Sequence, residues 1–484
     1  MNLDFQEKEF RQYTEQAVSI YFDWLKHLRG SKIYHNYTPA QIQERFNEKL
    51  PEEETPMESL LASVGSDVFE MSNFNPSPNY YGYITGGGNQ VGILAEFLKA
   101  GLNQNNLKWH NAPANSEMEK IVIKWLCQFM GYPDDSAGVL VSGGSEGNFL
   151  HLAVMRKVMG PASLSQKGLY GQKPMTVYVS SQGHSSFDKA MDLLGMGKEY
   201  LRKIPVDDQF QVRVDLMEEA IQKDLNEGLL PIGVIGIAGS TNNGAIDKLD
   251  KLATLAKKYQ LWYMVDAAYG GPAAGTAVAG HLFRGMSEAD AVLVNPHKWL
   301  YVPFQVAAVI VRKKEHLKNT FSLVPDYLRG GLEKTEREDL MDLTLQLTKD
   351  FKALKVWMTF KAYGAKKLRL AIENDIAVVK YFQDLVNASK DFEMLGPANL
   401  SIATFRYVSE NNGIKSNQAR VDAVNERILE LIEEDGRIFF AGTRINNRPA
   451  LRINCNNYRR TKADIDFLLM VLRELGEKAL LRSV

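Results

Sequence analysis

Six short runs of apolar residues recur between residues 138 and 311, and stretches with helical spacing separate them. Within each run the apolar positions are continuous and do not alternate with polar ones. A strand needs such a sequence when both faces of its sheet are covered, because neither face then meets water. Strands separated by helices indicate βαβ units and a mostly parallel sheet. The pattern predicts an α/β domain with strands at 138–142, 175–180, 232–240, 261–266, 291–295 and 306–311.

Helical periodicity dominates both ends of the chain. In about the first 70 residues, apolar positions such as Tyr21, Trp24 and Leu28 fall at helical spacing. Because so short a segment cannot bury its own apolar face, we expect it to pack on the rest of the chain or on a second subunit. Beyond residue 350 the pattern predicts a long amphipathic helix, followed by a smaller α+β domain whose last helix covers 465–480.

The composition narrows the class of protein. The 484 residues suggest two to four domains, and 45% hydrophobic against 24% charged residues is typical of a globular protein. With 57 basic and 58 acidic residues the chain is nearly neutral, which argues against a nucleic-acid or membrane partner. Cys127 and Cys455 form no CxxC pair, so neither a disulfide framework nor a zinc site is expected. With no signal-peptide pattern and no long apolar run, we expect a cytoplasmic protein.

Polar residues follow five of the predicted strands at the point where each strand ends. In an open α/β sheet, ligands bind in the crevice outside the carboxyl ends of the strands, so these residues are candidates for a functional site. They are Gly144, Ser145, His184, Thr241, Asp266, Asn295, His297 and Lys298. Side chains so different in chemistry indicate a ligand with several distinct parts.

The segment 142–148, SGGSEGN, has the features of an anion site. Its glycines allow backbone N–H groups to approach an anion, and the helix predicted after it would add a favourable dipole. Taken alone, the segment fits a tight strand-to-helix turn equally well. It matches neither GxGxxG nor GxxxxGK[ST], which argues against dinucleotide and P-loop sites.

Lys298 carries the strongest chemical signal. It lies between a buried strand and Trp299, and lysine is seldom buried without a partner. Desolvation lowers the pKa of an amine and makes it a better nucleophile. Taken singly, Asp266 fits a turn or a helix cap, and His184 fits a structural histidine. Together, an anion cradle, an acid, an imidazole and a lysine fit pyridoxal 5′-phosphate, which bonds to a lysine and pairs its ring nitrogen with an aspartate.

Five motifs give the chain a resemblance to the group II pyridoxal-phosphate-dependent amino-acid decarboxylases, above all the aromatic-L-amino-acid and tyrosine decarboxylases. They are SGGSEGN (142–148), QGHSSFDKA (182–190), GSTNNGAID (239–247), VDAAYGG (265–271) and NPHKWL (295–300), with PDYL (325–328) and ALRIN (450–454) in addition. The resemblance implies an α/β enzyme of fold type I that forms a homodimer, with its active site near the subunit interface. It implies a helical arm over 1–75, a large domain with a mostly parallel seven-stranded sheet over 76–365, and a small C-terminal α+β domain over 366–484.

The resemblance also implies a role for each candidate residue. Lys298 is expected to bond covalently to the cofactor and Asp266 to pair with its ring nitrogen. His184 is expected to stack on the ring and to contact the substrate carboxylate. Thr241 matches a residue that contacts the cofactor, and Tyr327 matches the tyrosine of a catalytic loop that returns a proton to Cα. The phosphate neighbourhood is expected to contain Gly144, Ser145, Asn295 and His297.

The substrate pocket departs from the pattern of that family. The segment 79–88 stays aromatic through Tyr83 but lacks the Pro-Thr pair of the aromatic decarboxylases. Leu107 takes a position at which those enzymes tend to carry an aromatic residue, and His110 adds a polar group. The expected reaction is decarboxylation of an aromatic L-amino acid to its amine, and a smaller polar or acidic amino acid is the alternative substrate.

Three other functions share parts of this pattern. A fold type I aminotransferase would use the same cofactor and an arginine for the substrate carboxylate, for which Arg452 is a candidate. Ser145, His184 and Asp266 could form a hydrolase triad, although GGSEG is not the GxSxG elbow. A non-catalytic binding protein would not need the lysine. An amino-group exchange assay separates the first from a decarboxylase, and a cofactor bonded to Lys298 excludes the other two.

Overall fold

The computed structural model describes residues 3–323, 337–409 and 416–481, and it begins with three helices, as the periodicity predicts. They are α1 (Glu7–Leu25), α2 (Pro39–Phe46) and α3 (Met57–Ser63). Thr38 and Gln41 form a capping box at the start of α2, where Pro39 takes the first helical position. None of the residues in these three helices is buried against the described part of the chain. Trp24 and Leu25 of α1 pack in part against Phe74 and its neighbours, whereas Phe10, Val18 and Phe22 stay exposed.

Seven strands form the central sheet. They are β1 (Ala137–Val141), β2 (Met175–Ser180), β3 (Leu201–Ile204), β4 (Leu230–Ile237), β5 (Trp262–Asp266), β6 (Ala291–Val294) and β7 (Ala307–Val311). Their order in the sheet is β1-β7-β6-β5-β4-β2-β3. β7 runs antiparallel to both of its neighbours, and every other pair is parallel. The mostly parallel seven-stranded sheet is confirmed, and all six strands predicted from the apolar runs are present, with ends shifted by a few residues.

The strand that the sequence pattern missed is β3, at the edge of the sheet. Its sequence is LRKI, in which Arg202 is half-buried and Lys203 is exposed. An edge strand has a neighbour on one side only and is less covered by helices, so it does not need a continuous apolar run. Its two polar positions removed the signal on which the other six predictions depend.

Helices cover both faces of this sheet. They are α4 (Gln90–Leu102), α5 (Pro113–Met130), α6 (Gly144–Met159), α7 (Leu164–Lys167), α8 (Ser186–Leu193), α9 (Val214–Asn226), α10 (Leu249–Tyr259) and α11 (Lys314–Phe321). Alternate residues of a strand enter two separate cores: Val139 and Val141 of β1 belong to one, and Leu140 belongs to the other. This double burial is the physical reason that the strands show no alternation of polar and apolar residues.

The predicted long helix and the smaller α+β unit follow the central sheet. The helices are α12 (Ala353–Ala388), α13 (Gln418–Asp435) and α14 (Lys462–Leu481), and the strands are β8 (Phe392–Met394), β9 (Ile402–Tyr407), β10 (Gly442–Ile445) and β11 (Arg448–Asn454). The strands form an antiparallel sheet in the order β10-β11-β9-β8, with a core of its own. Within the described ranges, no helix is both long enough and apolar enough to cross a membrane.

The topology brings several strand ends to one edge of the central sheet. β2, β4, β5 and β6 run parallel, and β1 shares their direction because both β1 and β6 are antiparallel to β7. Their carboxyl ends therefore meet at one edge, which is where an open α/β sheet binds its ligands.

Candidate active site

One cavity of about 440 Å³ lies at this edge, between the strand ends and the loops that follow them. A volume of this size suits a small cofactor. All eight residues that the strand ends predict line it together: Gly144, Ser145, His184, Thr241, Asp266, Asn295, His297 and Lys298. Other lining residues were missed, among them Asn148, Gln182, Ser240, Phe304 and Gln305. Asn148, Gln182 and Ser240 lie inside the quoted motifs. Their position in the sequence close to the candidate residues was the one signal that could have indicated them.

The start of α6 forms the anion cradle of the cavity. Gly143 is extended, and within the described residues no side chain accepts a hydrogen bond from the first N–H groups of the helix at this cap position. A Cβ atom at Gly144 would lie 2.9 Å from Asn295 Nδ2, so a larger residue would have to displace the Asn295 side chain. The helix N-terminus thus faces the cavity with free donors and a favourable dipole, as a phosphate group requires.

Glu146 is an acidic residue in this cradle that sequence reasoning did not single out. Its Oε2 accepts a hydrogen bond from the backbone N–H of Ser142 at 2.9 Å, and its Oε1 accepts one from Gln346 Nε2 at 2.8 Å. The carboxylate therefore turns back to the residue before the cap. This contact holds the strand-to-helix turn in shape, and the spacing of a glutamate three residues after the cap is its sequence signal.

Lys298 reaches the cavity from the turn that follows β6. Its backbone N–H donates to the carbonyl of Asn295 at 2.9 Å, and the next two residues, Trp299 and Leu300, are buried. Burial lowers the pKa of the Lys298 ammonium below its ordinary value, and the negative charge of Asp266 offsets part of that effect. A larger fraction of the side chain is therefore the uncharged amine, which is the form that attacks an aldehyde.

Asp266 ends β5 and is 7% exposed. Its Oδ1 accepts a hydrogen bond from the backbone N–H of Ala268 at 3.1 Å. Its Oδ2 accepts one from Asn148 Nδ2 at 3.3 Å. These contacts hold the carboxylate at the cavity wall, where it can pair with a protonated ring nitrogen.

His184 lies beside this carboxylate, where the cavity opens. Its Nδ1 is 2.8 Å from Ser186 Oγ and accepts a hydrogen bond from the Ser186 backbone N–H at 3.1 Å. Burial lowers the pKa of His184, Asp266 raises it in part, and Lys298 and Lys189 lower it further. Because the residue as a whole remains exposed at the rim, solvent weakens each of these effects.

His297 is a second imidazole of the cavity and a more buried one. The backbone N–H of Val306 donates to its Nδ1 at 3.0 Å, which leaves the ring proton on Nε2. Burial, assisted by the charge of Lys298, lowers the pKa of His297 to about 3, so the ring is neutral at pH 7. The ring of Phe304 packs against it with centroids 4.9 Å apart.

The hydrolase triad considered from the sequence has no counterpart in these contacts. Among the residues that the structure describes, no hydrogen bond joins Ser145 to His184 or His184 to Asp266. The Nδ1 atom of His184 is instead directed at Ser186. A serine nucleophile would need the histidine as its base and the aspartate as the orienting acid. This arrangement does not provide that relay.

The three residues predicted for the substrate pocket do not line this cavity in the single chain. Tyr83 is 57% exposed, and its ring centroid is 6.2 Å from that of Phe439. Leu107 is half-buried, and its carbonyl accepts a hydrogen bond from the Met341 N–H at 3.0 Å. His110 is exposed. Their role in substrate binding stays a prediction, and Tyr327 lies outside the described residues.

Arg452 approaches the cavity from β11. Its Nη1 donates to the carbonyl of Thr241 at 2.7 Å, and it is 5% exposed. Within the described ranges, its Nε has no hydrogen-bond partner. Burial lowers the pKa of Arg452, and the nearby Tyr269 and Tyr83 oppose this effect in part. A buried guanidinium therefore lies next to a residue of the cavity wall.

An anion cradle, a lysine with a lowered pKa and a buried carboxylate around one cavity define a pyridoxal-phosphate-dependent enzyme of fold type I. Asn295 Oδ1, buried with no partner in the described part of the chain, adds a polar atom left for a ligand. Residues 39–408 match the family model described as the pyridoxal-dependent decarboxylase conserved domain, and the chain belongs to this family. It is therefore a pyridoxal-phosphate-dependent amino-acid decarboxylase.

Relatives of known name cover almost the whole chain. The aromatic-L-amino-acid decarboxylase of Bacillus atrophaeus is 30% identical over 481 residues, which are 99% of this chain and 97% of the relative. The phenylacetaldehyde synthase of Petunia hybrida is 29% identical over 447 residues, 90% of this chain and 88% of the relative. The structure of Oryza sativa TDC with PLP and tryptamine superposes with a TM-score of 0.93 at 25% identity and covers 99% of both chains.

Proposed function

We propose that the protein removes carbon dioxide from an aromatic L-amino acid and releases the corresponding amine. The observation that carries the proposal is the convergence of Lys298, Asp266 and the start of α6 on one cavity. The names of the relatives support an aromatic substrate. So does the exposed ring of Phe304, which lines the cavity and offers an aromatic surface to a flat side chain.

The roles of the cavity residues follow from their chemistry. Lys298 would hold the cofactor aldehyde covalently, because its lowered pKa favours the nucleophilic amine. Asp266 would keep a proton on the ring nitrogen by ion pairing. The start of α6 would hold the phosphate and Thr241 would contact the cofactor; the expected phosphate neighbours are Gly144, Ser145, Asn295 and His297. When bound, pyridoxal phosphate supplies a ring that accepts the electron pair left on Cα as carbon dioxide departs.

His184 and Tyr327 act on the substrate in this proposal. His184 would lie against the cofactor ring and would donate from its imidazole to the substrate carboxylate, which would fix the direction of the bond that breaks. Tyr327 returns a proton to Cα after carbon dioxide has left, as a general acid. The proton would end on Cα of the amine product, and the Tyr327 phenolate would regain a proton from solvent before the next turnover.

The substrate assay tests this proposal directly. The purified protein with added pyridoxal phosphate is offered the twenty amino acids one at a time, and carbon dioxide release is measured. We expect release from tryptophan, tyrosine or phenylalanine. Release from none of the three would contradict the aromatic specificity.

A specific observation favours a second substrate class. Arg452 is a buried guanidinium without a carboxylate partner in the described residues, and it contacts the cavity residue Thr241. A buried cation of this kind is suited to an acidic substrate side chain. Carbon dioxide release from glutamate or aspartate, lost in Arg452→Met and partly kept in Arg452→Lys, would support this class in the same assay.

We also propose a cytoplasmic homodimer. Large apolar side chains stay exposed on α1 and on α4, which gives a second copy of the chain a surface to cover; on α4 they are Ile93, Leu94, Phe97, Leu98 and Leu102. Both cysteines, Cys127 and Cys455, are free and buried, which fits a reducing compartment. In a dimer, Tyr83, Leu107 and His110 could reach the cavity of the other subunit. Light scattering at assay concentration measures the oligomeric state.

We propose three domains with the boundaries 1–75, 76–365 and 366–484. The central sheet lies between residues 137 and 311, and the antiparallel sheet lies between residues 392 and 454. Helix α12 spans the second boundary, and its regular geometry is interrupted there at Gly364, with a φ of 72°. Limited proteolysis with mass mapping tests whether cleavage concentrates near residues 75 and 365.

A further inference from the structure

We propose that Asn148 and Ser186 are positioning residues that hold His184 in the tautomer with its proton on Nε2 and link it to Asp266. The proposal rests on the proposed roles of His184 and Asp266. Neither positioning residue stands out in the sequence, because an asparagine or a serine near the start of a helix is a common structural residue. Their contacts across α6, α8 and β5 give them this role.

The first link is the side-chain amide of Asn148, which is 2% exposed. Its Nδ2 lies 2.9 Å from Ser186 Oγ and 3.3 Å from Asp266 Oδ2. An amide nitrogen carries two hydrogens, so it can donate to both oxygens at once. The opposite orientation would place the amide oxygen against the carboxylate of Asp266. Electrostatic repulsion excludes that orientation, so the direction of both bonds is fixed.

The second link is the hydroxyl of Ser186. Because Oγ accepts from Asn148, its own hydrogen is available for His184 Nδ1, 2.8 Å away. The Ser186 backbone N–H donates to the same nitrogen at 3.1 Å. Two donors directed at Nδ1 require it to be the unprotonated nitrogen of a neutral ring. The ring proton therefore resides on Nε2, the nitrogen that has no partner in the described part of the chain.

The charged groups that face His184 are Asp266, Lys298 and Lys189. Asp266 favours the charged imidazolium, and the two lysines and burial oppose it, with a lowered pKa as the result. The contacts from Ser186 act in the same direction, because a proton on Nδ1 would remove its bond with the Ser186 N–H. His184 is thus kept as a neutral N–H donor.

A neutral donor suits decarboxylation better than a charged one. The substrate carboxylate loses its negative charge as carbon dioxide forms. An ion pair with imidazolium would stabilise the substrate more than the transition state and would raise the barrier. A neutral Nε2–H orients the carboxylate with a weaker bond. Asn148 and Ser186 would supply this property while Asn148 also orients the carboxylate of Asp266.

The test reads the tautomer of His184 by NMR in full-length protein labelled with ¹⁵N-histidine, before and after loading with pyridoxal phosphate. We expect the wild type to carry its proton on Nε2. In Ser186→Ala and Asn148→Ala we expect a mixture of tautomers and a raised pKa of His184, with kcat lowered roughly 3- to 10-fold, the loss of one hydrogen bond. Ser185→Ala is the matched control, since this neighbouring serine is exposed and should change nothing.

Two results would overturn the proposal: a wild-type His184 with its proton on Nδ1, or folded Ser186→Ala and Asn148→Ala proteins whose tautomer and pKa match the wild type. Thermal unfolding shows whether each variant is folded. One folded variant is enough for the test. The tautomer is measured without turnover, so its outcome is separate from the substrate assay. A protein with the expected tautomer that releases no carbon dioxide would contradict the proposed function alone.

Discussion

The cavity at the sheet edge and the helical arm, residues 1–75, differ in how many of their side chains are bonded or buried within one chain. Around the cavity, Asp266, His184 and Lys298 are each held by hydrogen bonds or by buried neighbours of the same chain. In the arm, the described helices α1, α2 and α3 bury none of their residues, and apolar side chains remain exposed. The cavity residues thus find their partners within one chain, whereas Phe10, Val18 and Phe22 of α1 find no cover in the described part of the chain.

The largest effect is expected at the cavity, from Lys298→Ala. Without the amine no covalent link to the cofactor forms, so turnover should fall about 10³-fold or more. Carbon dioxide release measures the loss, and circular dichroism checks the fold. Lys257→Ala is the control, since this exposed lysine of α10 does not line the cavity. Near-normal turnover of Lys298→Ala would contradict the assignment of the cavity as the active site.

The next effect concerns Tyr327 and the fate of the product. A phenol delivers a proton where a phenyl ring cannot, and a positioned general acid contributes about 10²–10⁴-fold. Tyr327→Phe should keep carbon dioxide release but divert the product from amine toward aldehyde, with ammonia and peroxide. Chromatography and a peroxide assay measure the partition. Amine formation at the wild-type rate without peroxide would show that Tyr327 is not the proton donor.

Aspartate substitutions on α1 test whether the helical arm contacts a second subunit. Val18 and Phe22 are 48% and 50% exposed, and we expect a second subunit to cover them. About half of each side chain is left to bury, which contributes about 0.8–1.5 kcal/mol per side chain. Val18→Asp with Phe22→Asp removes this contribution from both subunits and should weaken the dimer at least about 100-fold. Gln12→Asp, an exposed position on another side of the helix, is the control. If sedimentation finds the same dimer affinity in the double variant and in the control, the arm does not belong to the dimer interface.

The smallest effect concerns the stability of the segment that follows Lys298, which is bonded to Asp375. Asp375 of α12 accepts hydrogen bonds from Trp299 Nε1 at 2.9 Å and from Tyr301 Oη at 2.7 Å. Burial raises its pKa to about 7. Above about pH 4 the unfolded chain releases this proton while the folded chain keeps it until about pH 7. The contribution of Asp375 to the free energy of unfolding therefore falls by about 2 kcal/mol between pH 5 and pH 7.

The variant Asp375→Asn should remove this fall, because an amide does not titrate. Urea unfolding of the wild type and the variant at pH 5, 6, 7 and 8 gives the difference between them. Asp384→Asn, an exposed position of the same helix, is the control and should keep the pH dependence of the wild type. A constant difference across this range would mean that Asp375 does not titrate as described.

The sequence predicts the cavity well because its signals are local. Each candidate lies within a few residues of the end of an apolar run, and strand direction brings the eight candidates together. The contact between Asn148 and Ser186 joins residues 38 positions apart on two helices, so no local pattern indicates it. The edge strand β3 lacks the apolar run, and the predicted pocket residues Tyr83, Leu107 and His110 do not line the cavity of one chain.

The most direct test of the central claim is to reduce the protein with borohydride in the presence of pyridoxal phosphate and to map the modified peptide by mass spectrometry. A lysine in the cavity with a lowered pKa should carry the cofactor, so the account predicts a pyridoxyl group on Lys298 at near one per chain. Modification spread over exposed lysines such as Lys189, with Lys298 unmodified, would contradict it.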